Sequence, residues 1–172
     1  MNIDGDVGRH ITIGAYILDE RTIPTEDIFS HTMHGTSLTP HEWLAQVVFA
    51  LFHQLGGWDG VIWFSALLIA GTFWVVYRQA QRFSHQVILP LLITALSAAA
   101  SSLHWLTRPH LFTFLFTALW IWQLETLRRG EHGRWWLFPV LMPISATTHG
   151  AFILGLALWA MYAAGAVLEG RL

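Results

Sequence analysis

The residues with the most chemistry in this chain are few and widely spaced. Asp4 and Asp6 bracket a glycine one helical turn ahead of His10, His41 adjoins Glu42, Arg108 and His110 flank Pro109, and His149 precedes Gly150. Two carboxylates beside an imidazole can hold a hard divalent cation such as Mg or Mn through oxygen. A guanidinium in the same cleft grips a phosphate with its planar fork. Carboxylate, cation and arginine at a lipid–water boundary suit an enzyme that acts on a lipid-linked phosphate. There the metal stabilises the leaving phosphate while a carboxylate takes a proton from an attacking hydroxyl. Each group also has a plainer role. Asp4 and Asp6 can cap a helix, His41-Glu42 can belong to a capping box, Arg108 can anchor two spans at an interface, and His149 can be a turn residue. His31 and His34 have metal-pair spacing, but their loop is polar and they read as solvated.

These groups need elements to bring them together, and composition says what the elements are. Of 172 residues, 54% are hydrophobic and 12% charged, with no cysteine and a net charge of −2. Soluble domains carry roughly twice that share of charge. Disorder, a disulfide-stapled fold, a thiolate metal site and a basic nucleic-acid surface are all excluded, so nucleic acid is not an expected partner and membrane lipid is. Apolar runs of about 20 residues span a bilayer. Spans are expected at about 60–77, 87–107, 109–125, 135–148 and 151–168. The last uncharged stretch, from Trp135 to Leu168, is too long for one crossing and breaks at His149-Gly150, with Pro139 and Pro143 bending its first half. A hairpin is expected there, with one kinked helix as the alternative.

The chain thus reads as an all-α polytopic transmembrane helix bundle of about five spans, preceded by an external segment (1–57) with two amphipathic interfacial helices. Arg78, Arg82, Arg128, Arg129, Arg134 and Arg171 fall on one side, which the positive-inside bias makes cytoplasmic. The expected location is the inner (plasma) membrane, with residues 1–57 on the periplasmic or external side. No signal precedes that segment, so a further span upstream of Met1 is expected. Within it, a helix is expected from Asp6 to Leu18 with Val7, Ile11, Ala15 and Leu18 as its apolar stripe. A second is expected from the Thr39-Pro40-His41-Glu42 start to Gln54, closed by Gly56-Gly57. Its apolar face, expected to lie in lipid or on the bundle, is Leu44, Val47, Val48, Leu51 and Leu55, and Glu42, Gln46 and His53 lie opposite.

This topology puts Asp4, Asp6, His10, His41, Glu42, Arg108, His110 and His149 at one surface, although they are scattered along most of the sequence. The strings Asp4-Gly-Asp6-x-x-x-His10, Gly14-x-x-Ile17-Leu18, Ile23-Pro24, Asp27-x-Phe29-Ser30 and His41-Glu42-Trp43-Leu44 resemble the first external loop of bacterial polytopic proteins of the GT-C glycosyltransferase fold. Arg108-Pro109-His110 and His149-Gly150 look like later landmarks of the same proteins. The resemblance implies a membrane transferase that takes sugar from a polyprenyl-phosphate donor, with interfacial jaw helices and with spans before and after this stretch. Carried over residue by residue, it makes Asp4 and Asp6 the acidic catalytic and metal-binding positions and Arg108 the ligand of the donor phosphate. His10, His41, Glu42, His110 and His149 would line the substrate cleft. Ala146-Thr147-Thr148 departs from the bulky lead-in expected before His149. Two other classes compete: a non-catalytic membrane component (a transporter part, assembly subunit or inactive remnant), and a haem-binding bundle using His104, His110 and His149.

Overall fold

The computed structural model describes residues 5–84 and 86–170. Asp4 therefore lies outside the described residues. Six α-helices follow one another: α1 (Gly5–Glu20), α2 (Trp43–Gln81), α3 (Ile88–Ser101), α4 (His110–Arg128), α5 (Leu137–Thr148) and α6 (Ile153–Leu168). Short 3-10 turns, Ser102–His104 and Gly150–Phe152, follow α3 and precede α6. Among the described residues, two stretches, Trp43–Gln81 and Gly150–Leu168, are long and apolar enough to cross a membrane, while Ile88–His104 and Leu137–Thr148 are shorter apolar helices.

The expected stop at Gly56-Gly57 is a sharp break inside α2. Gly56 leaves helical geometry, and Gly57 takes φ 58°, ψ −146°, a conformation open to glycine and strongly unfavourable for side-chain-bearing residues. The break turns the first part of α2 back beside the second. Phe52 stacks on Phe64 at 4.2 Å between ring centres, and Phe49 meets Phe64 and Phe112 edge-on at 6.0 Å each. Such a meeting of residues 49 and 64 is out of reach for a straight helix rising ~1.5 Å per residue. Phe49, Val61, Leu68, Leu111 and Phe112, joined by Val7 and Ile11 of α1, form the buried core.

Two details of α1 and the start of α2 differ from expectation. First, Thr39 and Glu42 do not close a capping box. The helix begins at Trp43, Glu42 makes no cap hydrogen bond, and the turn before it is held by Trp43 N–H donating to the Pro40 carbonyl at 3.2 Å. Second, the buried faces follow the apolar stripes only in part, with Val7 and Ile11 buried as expected. Helix α1 buries Val7, His10, Ile11, Ile13 and Gly14, whereas Ala15 and Leu18 are half-covered. The start of α2 buries Ala45, Gln46, Phe49 and Ala50, and turns Leu51 and Leu55 outward. Small residues decide this. At Gly14 the α1 backbone lies so near the Gln46 carbonyl that no Cβ fits, and Ala50 closes the same contact. A helix pair gains more contact by meeting through small side chains than by separating over leucines.

The stretch 135–168 is broken as the Gly150 signal suggests. Helix α5 ends at Thr148, His149 is extended (φ −161°, ψ 146°), and α6 starts after the 3-10 turn. The two helices run in opposite directions along α4. Phe138 packs on Trp120 and His149 reaches Thr113, whereas Gly155 sits against Trp120 and Tyr162 near Glu125. At the far end of the bundle, buried Glu125 takes a two-pronged bond from Arg128 (2.8 Å each) and another from Arg129 at 2.9 Å. There Arg82 bridges Thr126 and Glu131 while its guanidinium lies 3.9 Å over Trp122.

Replacing Gly14 with Val should destabilise the docking of α1 by about 1–3 kcal/mol through overpacking. Gly8→Ala, with nothing within 4 Å of its Cβ, should be neutral or slightly stabilising. Thermal unfolding and protease cleavage of the 21–42 connection in the two variants check this.

Candidate functional site

The site lies at the end of the bundle opposite Glu125, where α1, the start of α2, the lead-in to α4 and the α5–α6 turn meet. Pro109 is buried and begins α4, with the Arg108 and Pro109 carbonyls accepting from Leu111 and Phe112 N–H at 3.1 and 3.0 Å. That turn points Arg108 back over α1, where its Nη2 lies 3.0 Å from Asp6 Oδ2. Both partners are half-exposed, so the pair contributes at most about 1 kcal/mol to stability and chiefly fixes where the guanidinium sits.

A second chain of contacts runs through Glu42. The loop before it is closed on itself by backbone bonds between Asp27 and Thr36 and between Leu38 and Thr25, each 2.8 Å. The Asp27 carboxylate accepts from Phe29 and Ser30 N–H and the Ser30 hydroxyl, which holds it below the usual carboxylate range. Tyr16 meets Phe29 edge-on and ties this loop to α1. Glu42 emerges from it between two histidines. His149 Nε2 is 3.6 Å from Glu42 Oε1, and buried His10 has Nδ1 3.9 Å from Glu42 Oε2. The ring of His149 is oriented from its other side. The Ala151 amide donates to Nδ1 at 3.4 Å, and Thr113 Oγ1 is 2.8 Å from the same nitrogen. An amide can only donate, so Nδ1 is the acceptor and the ring proton sits on Nε2, toward Glu42.

Burial raises the proton affinity of Glu42, with the Asp6 charge adding to it and Arg9 opposing it. Burial lowers that of His149. Despite their approach, then, the two groups are held toward their neutral forms. Desolvation outweighs attraction across a 3.6 Å gap that is longer than a hydrogen bond.

The structure thus gathers Asp6, His10, Glu42, Arg108, His110 and His149. His110 Nε2 is 2.6 Å from the His104 carbonyl, and its ring centre is 6.4 Å from that of His149. His110 Nε2 faces the His104 carbonyl and His149 Nε2 faces Glu42, so the nitrogens that would ligate a haem iron are turned to other partners. His41 is exposed and lines a cavity of about 390 Å³ with Arg9, Ile13, Glu42, Gln46 and the His149–Gly150 turn. His31 and His34 are exposed in the loop. Among the described residues, no three His, Asp or Glu side chains converge as metal ligands. Asp6 faces Arg108, so a cation held there would need Asp4.

Gln46 is the residue that sequence reasoning passed over. It is 3% exposed, and its amide nitrogen lies 3.4 Å from His10 Nδ1. Its Oε1 is buried without a hydrogen-bond partner. The signal available was its spacing, four residues after Glu42 and so on the same helix face. Compared with known proteins, the chain matches no family model, no curated protein and no solved structure.

Two opposed titrations follow from the burial of Glu42 and His149. Glu42 favours the folded state when protonated, a contribution lost as pH rises from 4.5 through its raised folded value. His149 contributes in its neutral form, and that part is lost as pH falls from 6.5 through its lowered value. Carbon-13 NMR of labelled Glu and His should place Glu42 above 4.5 and His149 below 6.5. Glu42→Gln should remove the acid-side gain in stability.

Proposed function

We propose that this is a multi-pass membrane protein of the GT-C glycosyltransferase kind, transferring a sugar from a polyprenyl-phosphate donor to a hydroxyl at the external face of the inner membrane. The observation that carries the reading is that the Asp6–Arg108 pair and the His10–Glu42–His149 contacts lie at one end of the bundle, from segments more than a hundred residues apart, with Glu42 and His149 lining a cavity there. Costly polar groups gathered at the edge of an apolar bundle mark a substrate path. Supporting a membrane setting, α3 leaves Ile88, Leu91, Leu92 and Leu96 exposed, and α6 leaves Ile153, Trp159, Met161 and Leu168 exposed. Apolar surface on that scale fits an apolar solvent.

In this reading Arg108 holds the donor phosphate, and Asp6 keeps the guanidinium in place. Asp4 and Asp6 are the acidic positions of the resembling family, and a divalent cation bound through Asp4 would add charge neutralisation at the phosphate. Within the cavity, Glu42 is the carboxylate with raised proton affinity, which suits it as the base. The acceptor oxygen bonds the anomeric carbon, the bond from that carbon to the phosphate oxygen breaks, and its electron pair stays on the lipid phosphate. The acceptor proton passes to Glu42. His149 flanks Glu42 on one side and His10 on the other.

The test is turnover of labelled polyprenyl-phosphate sugar by the full chain in lipid vesicles. Arg108→Gln should lower kcat/KM by about 10²–10³-fold, as loss of one charge-stabilising donor does. Glu42→Gln should lower kcat without unfolding the bundle. No turnover by the unaltered chain, as expected of a transporter or assembly subunit, or undiminished turnover by Arg108→Gln, overturns the reading.

A further inference from the structure

The end of the bundle around Glu125 combines an apolar cleft with a surplus of positive charge. A cavity of about 410 Å³ opens between α2, α3 and α4, with Val76, Ala80, Ile93 and Ala118 on its walls. Phe83 and Ser84, just past the end of α2, line the same cleft. From Val76 to Phe83 it follows α2 for about 10 Å at ~1.5 Å per residue. The Arg129 guanidinium lies over the Phe83 ring at 4.5 Å, so a cation stands at the edge of an apolar slot. Two bonds fix that guanidinium: Nε donates to Glu125 at 2.9 Å and Nη1 to the Arg82 carbonyl at 3.2 Å. Among the described residues, no hydrogen-bond partner meets its Nη2, and the side chain is 28% exposed. The Ser84 hydroxyl oxygen accepts from Gln86 N–H at 3.2 Å, which leaves its own proton to donate.

The charge balance points the same way. At this end Arg78, Arg82, Arg128, Arg129 and Arg134 outnumber Glu125, Glu131 and Glu169. Among the described residues, Arg78 and Arg134 have no carboxylate partner. Surplus arginine at the edge of a bilayer attracts anionic lipid. A small inorganic anion gains nothing from the slot, and a neutral apolar molecule gains nothing from the guanidinium. A molecule with an anionic head and an apolar tail uses both.

We infer that this cleft seats an anionic glycerophospholipid of the surrounding bilayer. Its phosphate oxygens accept from Arg129 Nη2 and the Ser84 hydroxyl, and one acyl chain lies along Val76, Ala80 and Ile93. The seat is at the opposite end of the bundle from Asp6, Arg108 and Glu42, so it is separate from the place proposed for the sugar donor. It rests on the membrane setting and not on sugar transfer.

The experiment is native mass spectrometry of the full chain released from detergent, titrated in parallel with dioleoyl phosphatidylglycerol and dioleoyl phosphatidylcholine. The two lipids share their chains and phosphate, and the choline cation cancels the charge of the second. The phosphatidylglycerol adduct should form about tenfold more tightly, the weight of one charge-assisted hydrogen bond. Arg129→Gln should remove that preference. Ala80→Phe, which fills the slot and leaves every arginine in place, should weaken the phosphatidylglycerol adduct about tenfold, and it carries the test if Arg129→Gln does not fold. Arg21→Gln, at the far end of α1, should leave the adduct unchanged. Equal adducts with the two lipids, a preference that survives Arg129→Gln, or an adduct undiminished by Ala80→Phe overturns the inference. So does loss of the adduct in Arg108→Gln, which would move the lipid phosphate to the other end. A lipid-free dimer broken by Ala80→Phe overturns it as well, since a second copy would then fill the cleft. Sugar turnover by a chain without the lipid preference keeps the transfer reading and loses this seat, and the preference without turnover does the reverse.

Discussion

Backbone meets backbone where α1 crosses the start of α2, with nothing between Gly14 and the Gln46 carbonyl, and the arrangement of the candidate site depends on that approach. It brings His10 down beside Gln46 and Glu42, and it sets Asp6 within reach of Arg108 on the α4 turn. A wider spacing, of the kind two leucine-faced helices adopt, would carry the imidazole and the carboxylate out of range together. The polar contacts themselves are long or half-exposed and hold little. Dispersion and burial do the positioning, and the polar groups occupy the places that packing leaves them.

The two ends of the bundle show opposite uses of charge. At the Glu125 end, a buried carboxylate is met by two guanidinium groups at hydrogen-bond distance, and Tyr162 lies 3.5 Å away. Removing one partner there would strand a buried charge, so that carboxylate is electrostatically complete. At the Glu42 end, the imidazoles stand 3.6 and 3.9 Å from the carboxylate, and a neighbouring carbonyl oxygen has no donor. Polar groups short of their full complement of bonds are what a ligand can satisfy. That contrast within one chain is why the second end, and not the more heavily charged first, reads as the place of chemistry.

Some of this was legible in the sequence for definite reasons. Gly56-Gly57 and His149-Gly150 interrupt apolar runs, and the structure breaks its helices at both. Arginines cluster at the ends of those runs, and Arg82, Arg128 and Arg129 meet at one end of the bundle. Which face of α2 meets α1 was not legible, because a count of large apolar residues favours the Leu51–Leu55 face. The true contact is made by Gly14, Ala45 and Ala50, whose advantage is closeness and not area. The capping pattern at Thr39–Glu42 was misleading for a related reason. Its acid has a half-buried destination between two histidines that a local pattern does not contain. Gln46 was hidden because an amide on a polar-looking face resembles any solvated side chain until tertiary packing closes over it.

The bend in α2 rests on Gly57, whose backbone dihedrals of 58° and −146° are accessible to an achiral residue and costly for any L-amino acid. Straightened, the 39 residues of that helix would make a rod of roughly 58 Å at ~1.5 Å per residue. Glu42 and Gln46 would then ride at its tip, far from His149. Handedness at a single α-carbon therefore stands between a closed pocket and an open pole, although that atom lies outside the pocket and touches none of the groups that line it.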